Sequence, residues 1–100
     1  MTQSTKPIRI AEILEAGIAL AKRDNYNRIT RDALAKRAGC SPALVSAYFG
    51  TMVQFRRSLM RHAVDREIVE VVAQGLVDRN PYARKAPDEL RQKAMASVTI

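Results

Sequence analysis

Of the hundred residues one is cysteine, one is histidine, and none is tryptophan. A lone thiol, Cys40, can neither close an intrachain disulfide nor build a thiolate metal cluster. A lone imidazole, His62, leaves no paired-histidine zinc site and little scope for a catalytic triad. No glycine-rich phosphate loop is present, and no window approaches the ~18 apolar residues of a membrane span. The opening stretch Met1–Pro7 is polar and lacks the apolar core of a signal peptide. Aromatics are few and β-branched runs are short, which argues against a sheet. These absences set aside enzyme chemistry, metals, cofactors and membranes. The expectation is a protein that needs none of them.

What is abundant points to helices. Ala, Leu, Arg and Lys dominate, and 47% of residues are apolar, enough to rule out a disordered chain. Charge is distributed unevenly. Residues 1–63 hold eleven Lys/Arg against four Asp/Glu, whereas residues 64–100 hold six of each. The whole net charge of +7 therefore belongs to the first two thirds. A polyanionic partner is the natural reading. The division also suggests two parts, a basic head over 1–63 and a neutral extension over 64–100.

Along the chain, Ile10, Ile13, Leu14, Gly17, Ile18, Leu20 and Ala21 predict an amphipathic helix over 8–24, with Asn25 supplying a left-handed stop. Thr30 caps a second helix, Arg31–Ala38, which ends at Gly39. Ser41 and Pro42 start a third, which stops at Gly50. Cys40, in the turn between them, reads as a buried thiol. Thr51 and Gln54 spell a capping box, opening a long helix from Met52 to about Gln74 or Leu76. Its stripe Val64, Ile68, Val71 and Val72 has little chain after it to cover it, so it is expected to dimerise. Asp78–Ala86 reads as a loop. Pro87, Asp88 and Glu89 open a last helix marked by Leu90, Ala94 and Val98.

Two short helices around a tight turn form a helix-turn-helix pattern. The third helix is only about 12 Å long, close to the width of the DNA major groove. Val45 and Phe49 should face the core. Pro42, Ala43, Leu44, Ser46, Ala47 and Tyr48 should face the bases. Those side chains hold no Arg, Asn or Gln, so thymine methyls under Ala43 and Leu44 and DNA shape are the expected readout. Phosphate contacts are assigned to Arg28, Thr30, Arg31, Lys36, Arg37, Ser41, Thr51, Gln54, Arg56 and Arg57.

The run RIAEILEAGIALAKRDNYNRITRDALAKRAGCSPALVSAYFGTMVQF, Arg9 to Phe55, resembles the N-terminal DNA-binding domain of the TetR family of repressors. The resemblance rests on the Ile-Leu-x-Ala start, Tyr26 before the second helix, the Thr30 cap, the Leu-Ala-x-x-Ala-Gly-x-Ser turn, and Phe49 and Phe55. It covers about residues 9–63. Three positions depart: Asn25 stands where the family usually has Gly, Ser46 where it has Tyr, and Met52 where it has Lys. After Ala63 the sequence is short for the family's ligand-binding domain, so no small-molecule inducer is expected.

The reading is therefore an all-α protein: a three-helix helix-turn-helix head, a long fourth helix and a short C-terminal helix. Its expected role is a cytoplasmic transcriptional regulator, a repressor holding a palindromic operator in double-stranded DNA as a homodimer. Two alternatives stay open: a phage- or plasmid-type DNA-binding protein for replication, packaging, partition or recombination, and a helical protein–protein adaptor.

Overall fold

The computed structural model describes residues 6–98; residues 1–5 of the polar opening stretch and residues 99–100 lie outside it. The described residues form helices and connecting turns only: α1 Lys6–Arg23, a 3-10 turn Tyr26–Arg28, α2 Arg31–Ala38, α3 Pro42–Phe49, α4 Met52–Asp65, α5 Val69–Val77, α6 Pro81–Arg84 and α7 Asp88–Val98.

The head follows its local signals. Thr30 Oγ1 accepts from Ala33 N at 3.2 Å, and Ser41 Oγ accepts from Leu44 N at 3.1 Å. The capping box closes in both directions, with Gln54 N donating to Thr51 Oγ1 at 3.1 Å and Thr51 N donating to Gln54 Oε1 at 2.9 Å. Gly39 has φ 74° and Gly50 has φ 77°, conformations that L side chains resist. Gly50 has a second reason: a Cβ there would lie 2.1 Å from Gln54 Oε1. At Gly17 a Cβ would lie 2.8 Å from the Phe55 ring, so glycine lets α1 approach α4.

Three expectations need correction here. Asn25 is not a left-handed stop. Its backbone is extended, and its side chain accepts from Asn27 N to start the 3-10 turn. Residues 78–86 are not a plain loop, because Asn80 caps the single-turn helix α6 through Tyr82 N and Ala83 N. Most consequentially, the long fourth helix is broken. Arg66 closes α4, Glu67 turns left-handed at φ 54°, and Ile68 starts α5. Ile68 N donates to Ala63 O at 2.8 Å and Glu67 N to Val64 O at 3.2 Å. This pair of bonds satisfies the orphan carbonyls of a helix end in a Schellman motif. The same pair recurs after α2 at Gly39 and after α5 at Arg79, whose φ is 61°.

Because α5 turns back, the stripe assigned to a partner is covered within the chain. Val71 and Val72 are fully buried, and α7 lies along α5 with Leu90 and Ala94 inside. Val64 and Ile68 are half-buried against the same core. Val71 and Val72 therefore cannot line a dimer contact while the chain is folded. Val98, which marks the last helix with Leu90 and Ala94, is exposed at its end. One hydrophobic cluster runs from Ile13 to Ala94, so the extension shares the head's core. Gly75 permits that packing: a Cβ there would lie 2.7 Å from Ala83 Cβ and 2.6 Å from Met60 Cε.

Glu67 offers a direct check of the corner. A non-glycine residue in this conformation costs about 1–2 kcal/mol, partly offset by the extra chain entropy that glycine brings to the unfolded state. Glu67→Gly should raise stability by about 0.5–1 kcal/mol, read as a higher denaturation midpoint. In an unbroken helix the same change would lower it by about 0.5–1 kcal/mol.

Polar contacts clamp the extension to the head. Gln74 Oε1 accepts from Tyr26 N at 2.9 Å, and Gln74 Nε2 donates to Ala21 O at 2.8 Å. The Tyr26 hydroxyl donates to Asp78 Oδ2 at 2.6 Å. Burial, then the bond to Asp78, pushes the Tyr26 hydroxyl up to about 12. The same bond holds Asp78 below its usual carboxylate range. Tyr26 is raised in the folded state, so its contribution is full below about pH 10 and fades as pH climbs toward 12. Asp78 is depressed, so its contribution is present above about 3.8 and fades as pH falls. Tyr26→Phe should cost about 1 kcal/mol at pH 7. Its stability curve should converge on the parent's at both pH extremes. A constant offset from pH 3 to 11 would show that the hydroxyl bond contributes nothing.

Candidate nucleic-acid interface

Helix α3 is held between α2 and α4. Val45 is fully buried beneath it, and Phe49 meets Phe55 edge-to-face at 5.1 Å between ring centres. That inner anchoring leaves Pro42, Ala43 and Ala47 exposed, with Leu44, Ser46 and Tyr48 half-exposed beside them. The outer surface is thus uncharged and low in relief, and Ala43 and Ala47 are the apolar side chains best placed for thymine methyls.

The helix starts contribute a second feature. Thr30, Ser41 and Thr51 each use an oxygen lone pair to cap a backbone N–H, which at Thr30 and Ser41 leaves the hydroxyl proton available to donate. At Thr51 that proton is donated to Gln54 Oε1 at 3.3 Å. Hydroxyl donors, backbone N–H groups and the positive end of each dipole together suit anionic oxygens. Gln54 holds the capping box with its oxygen, which leaves only its amide N–H groups for DNA.

The expected cationic contacts are not equivalent. Lys36 and Arg57 are exposed. Arg28 is exposed and lies 3.4 Å from Asp24, a surface pair that solvent weakens. Arg28 and Thr30 line one cleft of about 450 Å³ with Arg23, a cation that sequence reading did not select. Arg31 and Arg56 are half-buried, and the Nε of each is buried without a partner. Arg56 Nη2 donates to Ile29 O at 3.2 Å, which ties α4 to the residue before the α2 cap. Arg37 is exposed and lines a groove between α1 and α2 that also holds Glu12 and Glu15, whose carboxylates pair with Arg9 and His62.

Two further placements depend on tertiary structure. Lys6 Nζ lies 5.9 Å from the centre of the Tyr48 ring, which brings the start of α1 to the outer face of α3. No spacing rule links positions so far apart in sequence. His62 places Nε2 3.0 Å from Glu15 Oε2 and joins α4 to α1. Cys40 is half-buried against the core, more open than expected. Among the described residues, no group of three His, Cys, Asp or Glu could hold a metal ion, and no helix is long and apolar enough to cross a membrane.

A capped helix pair presenting a short uncharged helix among cations defines a helix-turn-helix DNA-binding head. Residues 13–59 match the family model described as bacterial regulatory proteins, tetR family, so this segment is similar to a TetR-type N-terminal DNA-binding domain. The match spans α1 from Ile13 through α4 to Leu59, which contains all of α2 and α3. No curated protein and no solved structure matches the chain.

Proposed function

We propose that this protein is a sequence-specific regulator of transcription that binds a palindromic operator as a homodimer and represses by occupying it. The observation that carries the reading is the exposed, uncharged face of α3, flanked by three hydroxyl-capped helix starts within a TetR-type domain. Such a regulator works on double-stranded DNA in the bacterial cytoplasm. One eight-residue helix reads only a few base pairs, so two copies about 34 Å apart are needed for a useful site.

The dimer surface on this reading is not the buried part of α5. It is the outer face of α5 and α7, where Val77 and Val98 are exposed and line one groove with Ala73. This face carries none of the head's excess charge, so two copies can approach there without strong repulsion.

Selection from a random duplex pool tests the proposal, together with sedimentation of the free protein. A recovered palindrome bound by two copies supports a regulator. Uniform binding to all duplexes would overturn it in favour of a packaging or architectural role, and no binding would favour the adaptor. Within a recovered operator, thymine-to-uracil changes under Ala43 and Ala47 should each weaken binding by less than the ~1–3 kcal/mol of a bidentate base contact.

A further inference from the structure

The extension is neutral overall, yet three of its six cations line one cleft. Arg79 from the corner after α5, Arg84 from α6 and Arg91 from α7 surround a space of about 530 Å³, with Leu76 and Met95 as its apolar lining. No carboxylate lines it. Arg91 is partly committed, since its Nε donates to Ala86 O at 3.0 Å and its Nη2 pairs with Asp88. Arg79 and Arg84 are exposed, and their guanidinium groups have no hydrogen-bond or ion-pair partner among the described residues. Two uncompensated guanidinium groups and a third held in place by the backbone therefore face one concavity.

We propose that this cleft is a phosphate-binding site, separate from the face presented by α3. The charge balance selects the ligand class. Arg91 is offset by Asp88, leaving about two positive charges, which match the roughly −1.5 to −2 of a phosphomonoester better than a single carboxylate. Guanidinium forks also fit phosphate oxygens in pairs. The cleft has room for a phosphate and a small attached group. The phosphate can come from a free phosphorylated small molecule or from a nucleic-acid backbone that wraps past the head. The site does not depend on the operator reading, because its first test uses no DNA.

The full chain is titrated calorimetrically with inorganic pyrophosphate at low salt, and its DNA affinity is measured in parallel against salt. Arg79→Asn and Arg84→Gln are the test variants, since asparagine accepts the left-handed backbone at 79. Lys93→Gln, outside the cleft, controls for lost charge. Saturable pyrophosphate binding is expected, about tenfold weaker or more in each arginine variant and little changed in the control. If the natural source is a free ligand, the double variant keeps the parent's DNA affinity and salt slope. If the source is a DNA backbone, its slope of log K against log salt falls by about 0.9 for each lost contact. Pyrophosphate binding that ignores both arginine changes would overturn the site. So would the absence of pyrophosphate binding together with an unchanged salt slope.

Discussion

Ala47→Glu is expected to abolish useful DNA binding while leaving the fold intact. Ala47 is exposed on the outer side of α3, and its helix is anchored from the opposite side by Val45 and Phe49. A glutamate there meets no protein neighbour that it must displace, and an exposed helix position tolerates it within about 0.5 kcal/mol. In the groove it brings a carboxylate against a polyanion and can accept only from the amino groups of cytosine or adenine. Like-charge placement at an interface costs several kcal/mol, so the affinity should fall about a hundredfold or more. Gln92→Glu makes the same change in net charge on exposed α7 and should shift binding only about threefold through weaker steering. Mobility shift with the selected operator, beside thermal melts of both variants, reads the two effects separately. If Ala47→Glu binds like Gln92→Glu, α3 does not enter the groove.

The difference between head and extension in legibility follows from where their signals lie. Thr30, Ser41, Thr51 with Gln54, Gly39 and Gly50 act within a few residues of themselves, and α2 and α3 begin and end where those residues put them. The outward set on α3 follows from the placement of Val45 at its centre. The corners after α4 and α5 use the same pair of hydrogen bonds as the corner at Gly39, but with Glu67 and Arg79 in the left-handed position. Neither residue type marks a helix end, so apolar periodicity alone ran the helix through the break. That single miss reversed the direction of Val71 and Val72. Contacts such as Lys6 with Tyr48, Arg56 with Ile29 O and Tyr26 with Asp78 join residues distant in sequence and leave no local pattern. Which faces of α2 and α3 turn outward was therefore readable, and which basic side chains are tied to other parts of the protein was not.

Val72→Asp should unfold the protein instead of merely separating two copies. Val72 is fully buried in the layer where α5 meets the head and α7. Among the described residues, no buried charged side chain is present to pair with a new carboxylate. An unpaired buried charge costs about 3–5 kcal/mol even after relaxation, and the lost valine packing adds about 1–3 kcal/mol. The sum is comparable with the whole stability of a small domain, about 5–15 kcal/mol. The damage reaches the head because α5 is part of its support: Gln74 bonds to Tyr26 and Ala21, and Gly75 packs on Met60 of α4. Far-ultraviolet circular dichroism should therefore show a large loss of helix at 37 °C, with DNA binding lost in step. Ile68→Asp, at a half-buried position at the corner, should cost less and retain a folded chain at lower melting temperature. The decisive contrast is between signal and mass. If Val72→Asp keeps the parent's helical spectrum and only halves the sedimenting mass, then Val72 lies in a subunit interface, and α5 does not fold back onto its own head.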